Sequence, residues 1–129
     1  MVVGGLIGGW LRFLLGTLIP TPFSFPLATL TINLVGSFGL GLFYAIADKN
    51  HFPIWLRLGI GTGVIGAFTT FSTFSFEMSE LLHGHLILSV LYGVASIGGG
   101  VLSVAAGERS VRPVLHREIK SEKAEGAYL

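Results

Sequence analysis

The residues with the clearest capacity for chemistry lie in residues 66–77, GAFTTFSTFSFE, a polar and aromatic insertion in an otherwise apolar sequence. Its centre is a tripeptide written twice, Thr70-Phe71-Ser72 and Thr73-Phe74-Ser75. On a helix, positions three apart share a face, so the repeat makes adjacent stripes of threonine, phenylalanine and serine. Glu77, four residues after Thr73, ends the threonine stripe with a carboxyl group. Hydroxyl donors beside phenyl rings suit a small ion better than a catalytic step. No GxxxxGK[ST], HExxH or Ser/His/Asp set occurs, so an enzyme reading has no residues to rest on.

The solvent that these residues meet follows from composition. Hydrophobic residues make up 51% of the 129 positions and charged residues 12%, against about a quarter charged in a soluble domain. With a mean hydropathy of +0.76, the chain reads as an all-α membrane protein. The net charge of +1 gives no basis for a nucleic-acid partner, and without cysteine no disulfide or thiolate metal site is available.

Four apolar runs are expected to cross the membrane, at about 1–19, 26–47, 54–82 and 86–106, so that residues 1–107 form a four-helix unit. The remaining 108–129 form a charged tail with no apolar period, expected to be a solvated or interfacial end. The first run lacks the basic start and cleavage pattern of a signal peptide and reads as a retained helix. Gly4, Gly8, Arg12 and Gly16 fall on one of its faces. Small residues at that spacing allow close helix approach, and Arg12 suits a vestibule or an interface reached by snorkelling. In the second run Thr29, Asn33, Ser37 and Gly41 make a polar stripe. Asn33 reads equally as interhelical hydrogen-bonding glue and as a ligand or pore group.

The third run is too long for one straight span, and Gly59, Gly61, Gly63 and Gly66 precede Thr69 and Thr70. The expectation is two half-helices meeting near residues 66–70, with carbonyls of the first and amides of the second facing the break. Carbonyls there could take a cation, and the second half's N-terminus an anion. The fourth run places Tyr92, Ser96 and Ser103 along one side. His83 and His85, two apart with no carboxylate triad, are weak evidence for a metal. So small a bundle implies an oligomer.

TLTINLVGSFGLG, GAFTTFSTFSFE and GGLIGGWLRF together resemble the Fluc (CrcB) fluoride channels, from Gly4 to about Ala106. The resemblance implies an antiparallel dimer of four-helix subunits with two fluoride pores and a central structural sodium ion that is not transported. It implies passive fluoride export across the cell membrane, which lowers cytoplasmic fluoride and protects against its toxicity. Phe71 and Phe74 match the pore phenylalanines, Asn33 the pore asparagine, and the backbone oxygens of Gly66 and Thr69 the sodium ligands. The residues agree: ring edges are electropositive, and Thr70, Ser72, Thr73 and Ser75 lie beside the rings. Four carbonyls from two chains would suit a hard cation. Arg12, Glu77, Tyr92 and Ser96 are accessory candidates, the fourth helix departing most from the family pattern.

Two other classes of function remain: a non-conducting subunit that completes another chain's pore, and a small proton-coupled exporter. An exporter needs a carboxyl inside the membrane, for which Glu77 and Glu80 are the candidates. With four spans, Lys49, Arg57, Arg109, Arg112, Arg117, Lys120 and Lys123 share the side of both termini, and the opposite short loops hold no Lys or Arg. The positive-inside rule then places both termini in the cytoplasm. The mate of such a subunit is an oppositely biased homologue, whereas a balance that counts only Lys49 and Arg57 against Arg12 suits a second copy.

Overall fold

The computed structural model describes residues 1–20 and 25–125, with side chains as far as Val111. Every regular element among them is helical: α1 (Val2–Leu18), α2 (Leu27–Lys49), α3 (Ile54–Arg57), a π-helical segment (Leu58–Ile65), α4 (Gly66–Phe68), α5 (Phe71–Gly84) and α6 (Leu86–Glu125). Three stretches are long and apolar enough to cross a membrane, Leu27–Lys49, Ile54–Gly84 and Leu86–Val111, and α1 is a shorter apolar helix of 17 residues. The chain is a multi-pass membrane protein. Thr21 and Pro22, which end the first apolar run, lie outside the described residues.

The packing explains the glycines. α2 lies along α6, the most extensive helix pair, and a Cβ on Gly41 would run into the backbone carbonyl of Val104. α1 braces the π-helical segment and α4, and a Cβ on Gly8 would collide with the carbonyl of Val64 and come within 3.0 Å of the Phe68 amide. Helix contacts this close, made through small residues, are how apolar helices associate where lipid removes the hydrophobic driving force. The core is correspondingly small. Ile32, Ala47, Phe68, Leu81 and Tyr92 are buried, whereas Val2, Leu6, Trp10, Phe13, Trp55, Ile87 and Val101 are exposed, as lipid-facing side chains are.

Two features depart from the sequence expectation. Leu58–Ile65 winds as a π-helix, with the Gly66 amide reaching back to the Gly61 carbonyl. π turns are rare and recur at functional sites. The fourth helix also does not end near Ala106: its backbone stays helical to Glu125, so the charged tail continues α6. On the side of the α2–α3 connection, Arg57 pairs with Asp48 and stacks over the Tyr44 ring at 5.5 Å from its centroid.

The contacts at Gly8 generate a prediction. Gly8→Val should lower the melting midpoint in detergent through overpacking worth about 1–3 kcal/mol. Gly9→Val, whose Cβ would meet nothing within 4 Å, should leave it near the parent's. Equal midpoints for the two variants would contradict the packing of α1 on the π-helical segment.

Candidate functional site

α4 stops at Phe68 because Thr69 turns extended, at φ −74° and ψ 159°. Thr70 is also extended, at φ −146° and ψ 118°, and the helix resumes at Phe71. Two non-helical residues inside an apolar stretch leave backbone groups that lipid cannot satisfy. Asn33, on α2, satisfies one residue's pair. The Thr70 amide donates to Asn33 Oδ1 at 2.8 Å, and Asn33 Nδ2 donates to the Thr70 carbonyl at 3.0 Å. Thr70 then caps α5, its Oγ1 accepting from the Thr73 amide at 3.2 Å and donating to Thr73 Oγ1 at 3.0 Å.

These bonds free two carbonyls. In an unbroken helix the Thr70 amide would reach back to Gly66, and the Thr73 amide to Thr69. The first goes to Asn33 instead and the second to Thr70 Oγ1. Gly66 keeps only a long contact from Thr69 Oγ1, at 3.5 Å. Carbonyl oxygens stripped of their helical donors are the kind of group a hard cation takes.

A cavity of about 320 Å³ opens beside the break, with Asn33, Gly66, Thr69, Thr70, Phe71 and Phe74 in its wall. Ser37 and Ser96 complete its polar lining. The Phe71 and Phe74 rings tilt at 39° with centroids 5.8 Å apart. Ser96 Oγ is buried and is the one such side-chain atom without a hydrogen-bond partner among the described residues. Ser72, Thr73 and Ser75 are exposed on α5 along with Phe71, which is 80% exposed.

A second cluster lies one ring away. Phe74 packs on Tyr92 with centroids 5.1 Å apart. The Tyr92 hydroxyl donates to Glu77 Oε2 at 2.7 Å, and the Thr29 hydroxyl donates to Glu77 Oε1 at 2.8 Å. Glu77 and Tyr92 are thus brought together, and Thr29 joins them. The signal for Thr29 was its place four residues before Asn33 on the polar stripe of α2. Arg12 is half-buried on α1, lines neither the cavity nor this cluster, and makes no hydrogen bond or ion pair among the described residues. No group of three or more His, Cys, Asp or Glu side chains placed to hold a metal occurs among the described residues, His83 and His85 included.

Residues 1–108 match the family described as CrcB-like protein, Camphor Resistance (CrcB). A Deinococcus radiodurans protein named fluoride-specific ion channel FluC is 42% identical over 112 residues, covering 83% of this chain and 88% of that one. A Geobacillus kaustophilus protein named fluoride-specific ion channel FluC 2 is 38% identical over 115 residues, 86% of this chain and 89% of the relative. A Moorella thermoacetica protein named fluoride-specific ion channel FluC 1 is 46% identical over 112 residues, 83% and 79% of the two chains.

The clamp on Thr70 generates a prediction. Asn33→Leu keeps the bulk but orphans the Thr70 amide and carbonyl, at a cost of about 1–3 kcal/mol for each group. Its melting midpoint in detergent should fall well below that of Ser37→Ala, a change on the same stripe and cavity wall. Equal midpoints would show that Asn33 lines the cavity without holding the break.

Proposed function

The chain belongs to the CrcB family, and from that premise we propose that it is a channel subunit through which fluoride leaves the cell passively, lowering cytoplasmic fluoride. The observation that carries this reading is the cavity lined by the tilted Phe71 and Phe74 rings and by Ser96, whose buried hydroxyl has no hydrogen-bond partner among the described residues. Ring edges attract an anion and offer a cation no ligand. Ser96 Oγ, with the second amide hydrogen of Asn33, supplies donors that replace part of the ion's hydration. No chemical step is needed, and no residue set supports an enzyme.

The subunit works as part of an antiparallel dimer in the cell membrane. All four apolar helices cross, α1 with the least length to spare, and the stretch Ile54–Gly84 is a single span broken at Thr69 and Thr70. Ser72, Thr73 and Ser75 are exposed on the isolated chain, and hydroxyls do not favour a lipid-facing surface, so a second subunit covers them. The carbonyls of Gly66 and Thr69, with the same pair from the mate, supply four hard oxygens for a structural sodium ion that does not cross. Bound there, it would place a fixed positive charge where an anion otherwise meets a steep desolvation barrier.

The mate is either a second copy or an oppositely oriented homologue, and charge favours the latter. α6 carries the basic residues 109–123 as a direct continuation of the last span, on the side of Lys49 and Arg57. A proton-coupled exporter is less well supported, since Glu77 holds both its oxygens against neutral hydroxyls.

Fluoride efflux from liposomes tests the reading. The protein, alone or with its mate, should release fluoride without a proton gradient. Phe71→Ile and Phe74→Ile should slow release by up to about tenfold, the value of one aromatic contact. Unchanged release from dimeric variants would refute the aromatic mechanism. With N-methylglucamine as the sole cation after sodium stripping, release and dimer stability should both fall. Full activity there would remove the sodium site. For orientation, Asn50→Cys and Glu108→Cys in intact cells should label only from the cytoplasm, and equal labelling from both faces would establish dual insertion and a homodimer.

A further inference from the structure

We propose that the extension of α6 beyond the membrane is a binding site for anionic phospholipid headgroups of the leaflet it leaves. The site is a line of basic residues, Arg109, Arg112, Lys120 and Lys123, that continues the exposed line of the span. The proposal goes beyond the channel reading and does not depend on it.

The direction of that line is set inside the membrane. Gly107 packs on α2 so closely that a Cβ there would strike the Phe38 carbonyl and the Leu42 amide. At about 100° per residue, Arg109 lies on nearly the opposite side of the helix, and it is exposed. Leu91, Val94 and Leu102 fall on the same line as Arg109 and are exposed as well. Beyond Arg109 the backbone stays helical to Glu125. Arg112, His116, Lys120 and Lys123 follow at steps of three, four, four and three, which keeps them on one line. Glu118 and Glu125 come 11 and 18 residues after Gly107, about three and five full turns, and so fall on its side instead. The charges of the extension are segregated, basic on the line that faces away from the bundle and acidic on the other.

Segregation on a helix that leaves a membrane selects the partner. The apolar sequence ends at Ala106, so Arg109 and Arg112 stand at the level of the headgroups, a layer about 5–8 Å deep on each side. Arg109 makes no ion pair or hydrogen bond among the described residues. Position 123 lies about 21 Å further along the axis, out of reach of that layer on a helix that rises straight. Pro113 supplies a joint: it cannot donate to the Arg109 carbonyl, and helices kink where such a bond is missing. Four or more Lys and Arg directly after a span are what an anionic leaflet attracts, each worth about fivefold in affinity. The competing account is a solvated tail whose charges act only through their sum.

The test adds lipid to the full-length protein in detergent. Phosphatidylglycerol should raise the melting midpoint and phosphatidylcholine should not. The phosphatidylglycerol concentration that gives half the shift should rise about fivefold in Lys120→Gln and about twentyfold in the double variant Arg109→Gln, Arg112→Gln. Arg117→Gln, which removes the same charge from off the line, should leave it near the parent's. Equal losses in Lys120→Gln and Arg117→Gln would reduce the effect to net charge and overturn the proposal. Equal shifts from the two lipids would overturn it too, as would the same shift from inorganic phosphate, which would mark a site for free anions. A midpoint that climbs with protein concentration, and is lost in Glu118→Gln with Glu125→Gln, would mean that a second copy covers the line in place of lipid. The geometry has its own readout in a nitroxide at Ser121→Cys, since the chain has no other cysteine. The label should lie closer to the surface in nanodiscs containing phosphatidylglycerol than in phosphatidylcholine alone, and equal depth in both overturns the proposal. Neither readout requires flux, so a chain that releases no fluoride would refute the channel reading and leave this one to be decided by the lipids.

Discussion

The clamp between Asn33 and Thr70 is the interaction on which the rest of this structure depends. A membrane helix cannot drop its backbone hydrogen bonds without replacement, because lipid offers no partner. Asn33 is a side chain that imitates a backbone, returning one donor and one acceptor to Thr70. With that pair satisfied, α4 can end and α5 begin two residues later. The carbonyls of Gly66 and Thr69 lose their helical donors as a direct consequence, and Phe71 is placed at the first turn of a new helix.

The consequences spread along α5. Its start fixes Phe71 and Phe74 against the cavity, and one turn further on Glu77 meets hydroxyls from α2 and α6. The same helix turns Ser72, Thr73 and Ser75 outward. Phe74 and Glu77 thus turn toward the bundle, while the exposed side of α5 carries Phe71 together with three hydroxyl residues. Hydroxyls on the outer face are poorly suited to lipid, and the Gly66 and Thr69 carbonyls at the break have lost their helical donors.

Much of this was legible in the sequence because membrane helices obey few rules. Apolar runs set where the chain crosses, and small residues at intervals of four showed how closely α1 could be approached, as Gly8 against Val64 bears out. The doubled Thr-Phe-Ser tripeptide marked the start of α5, where Phe71 and Phe74 line the cavity. What spacing could not show is which group each polar side chain would meet. Asn33 stood open between glue and ligand because its partner lies 37 positions away. Thr29, Glu77 and Tyr92 lie on three different helices, and no local pattern joins them. The π-helical turns at Leu58–Ile65 left no signal beyond their glycines. The helical continuation of α6 was hidden because loss of apolar period marks the end of burial, while backbone hydrogen bonding can run on past it.

Hydrogen exchange at the Thr70 amide, followed by NMR in lipid nanodiscs, tests the central claim most directly. Thr70 lies between two helices and has no helical acceptor, so its protection depends on Asn33 alone. The clamp predicts exchange as slow as that of the helical amides of α5, and fast exchange at this one position in Asn33→Leu. Rapid exchange in the parent, or slow exchange that survives the substitution, would show that something other than Asn33 holds the break.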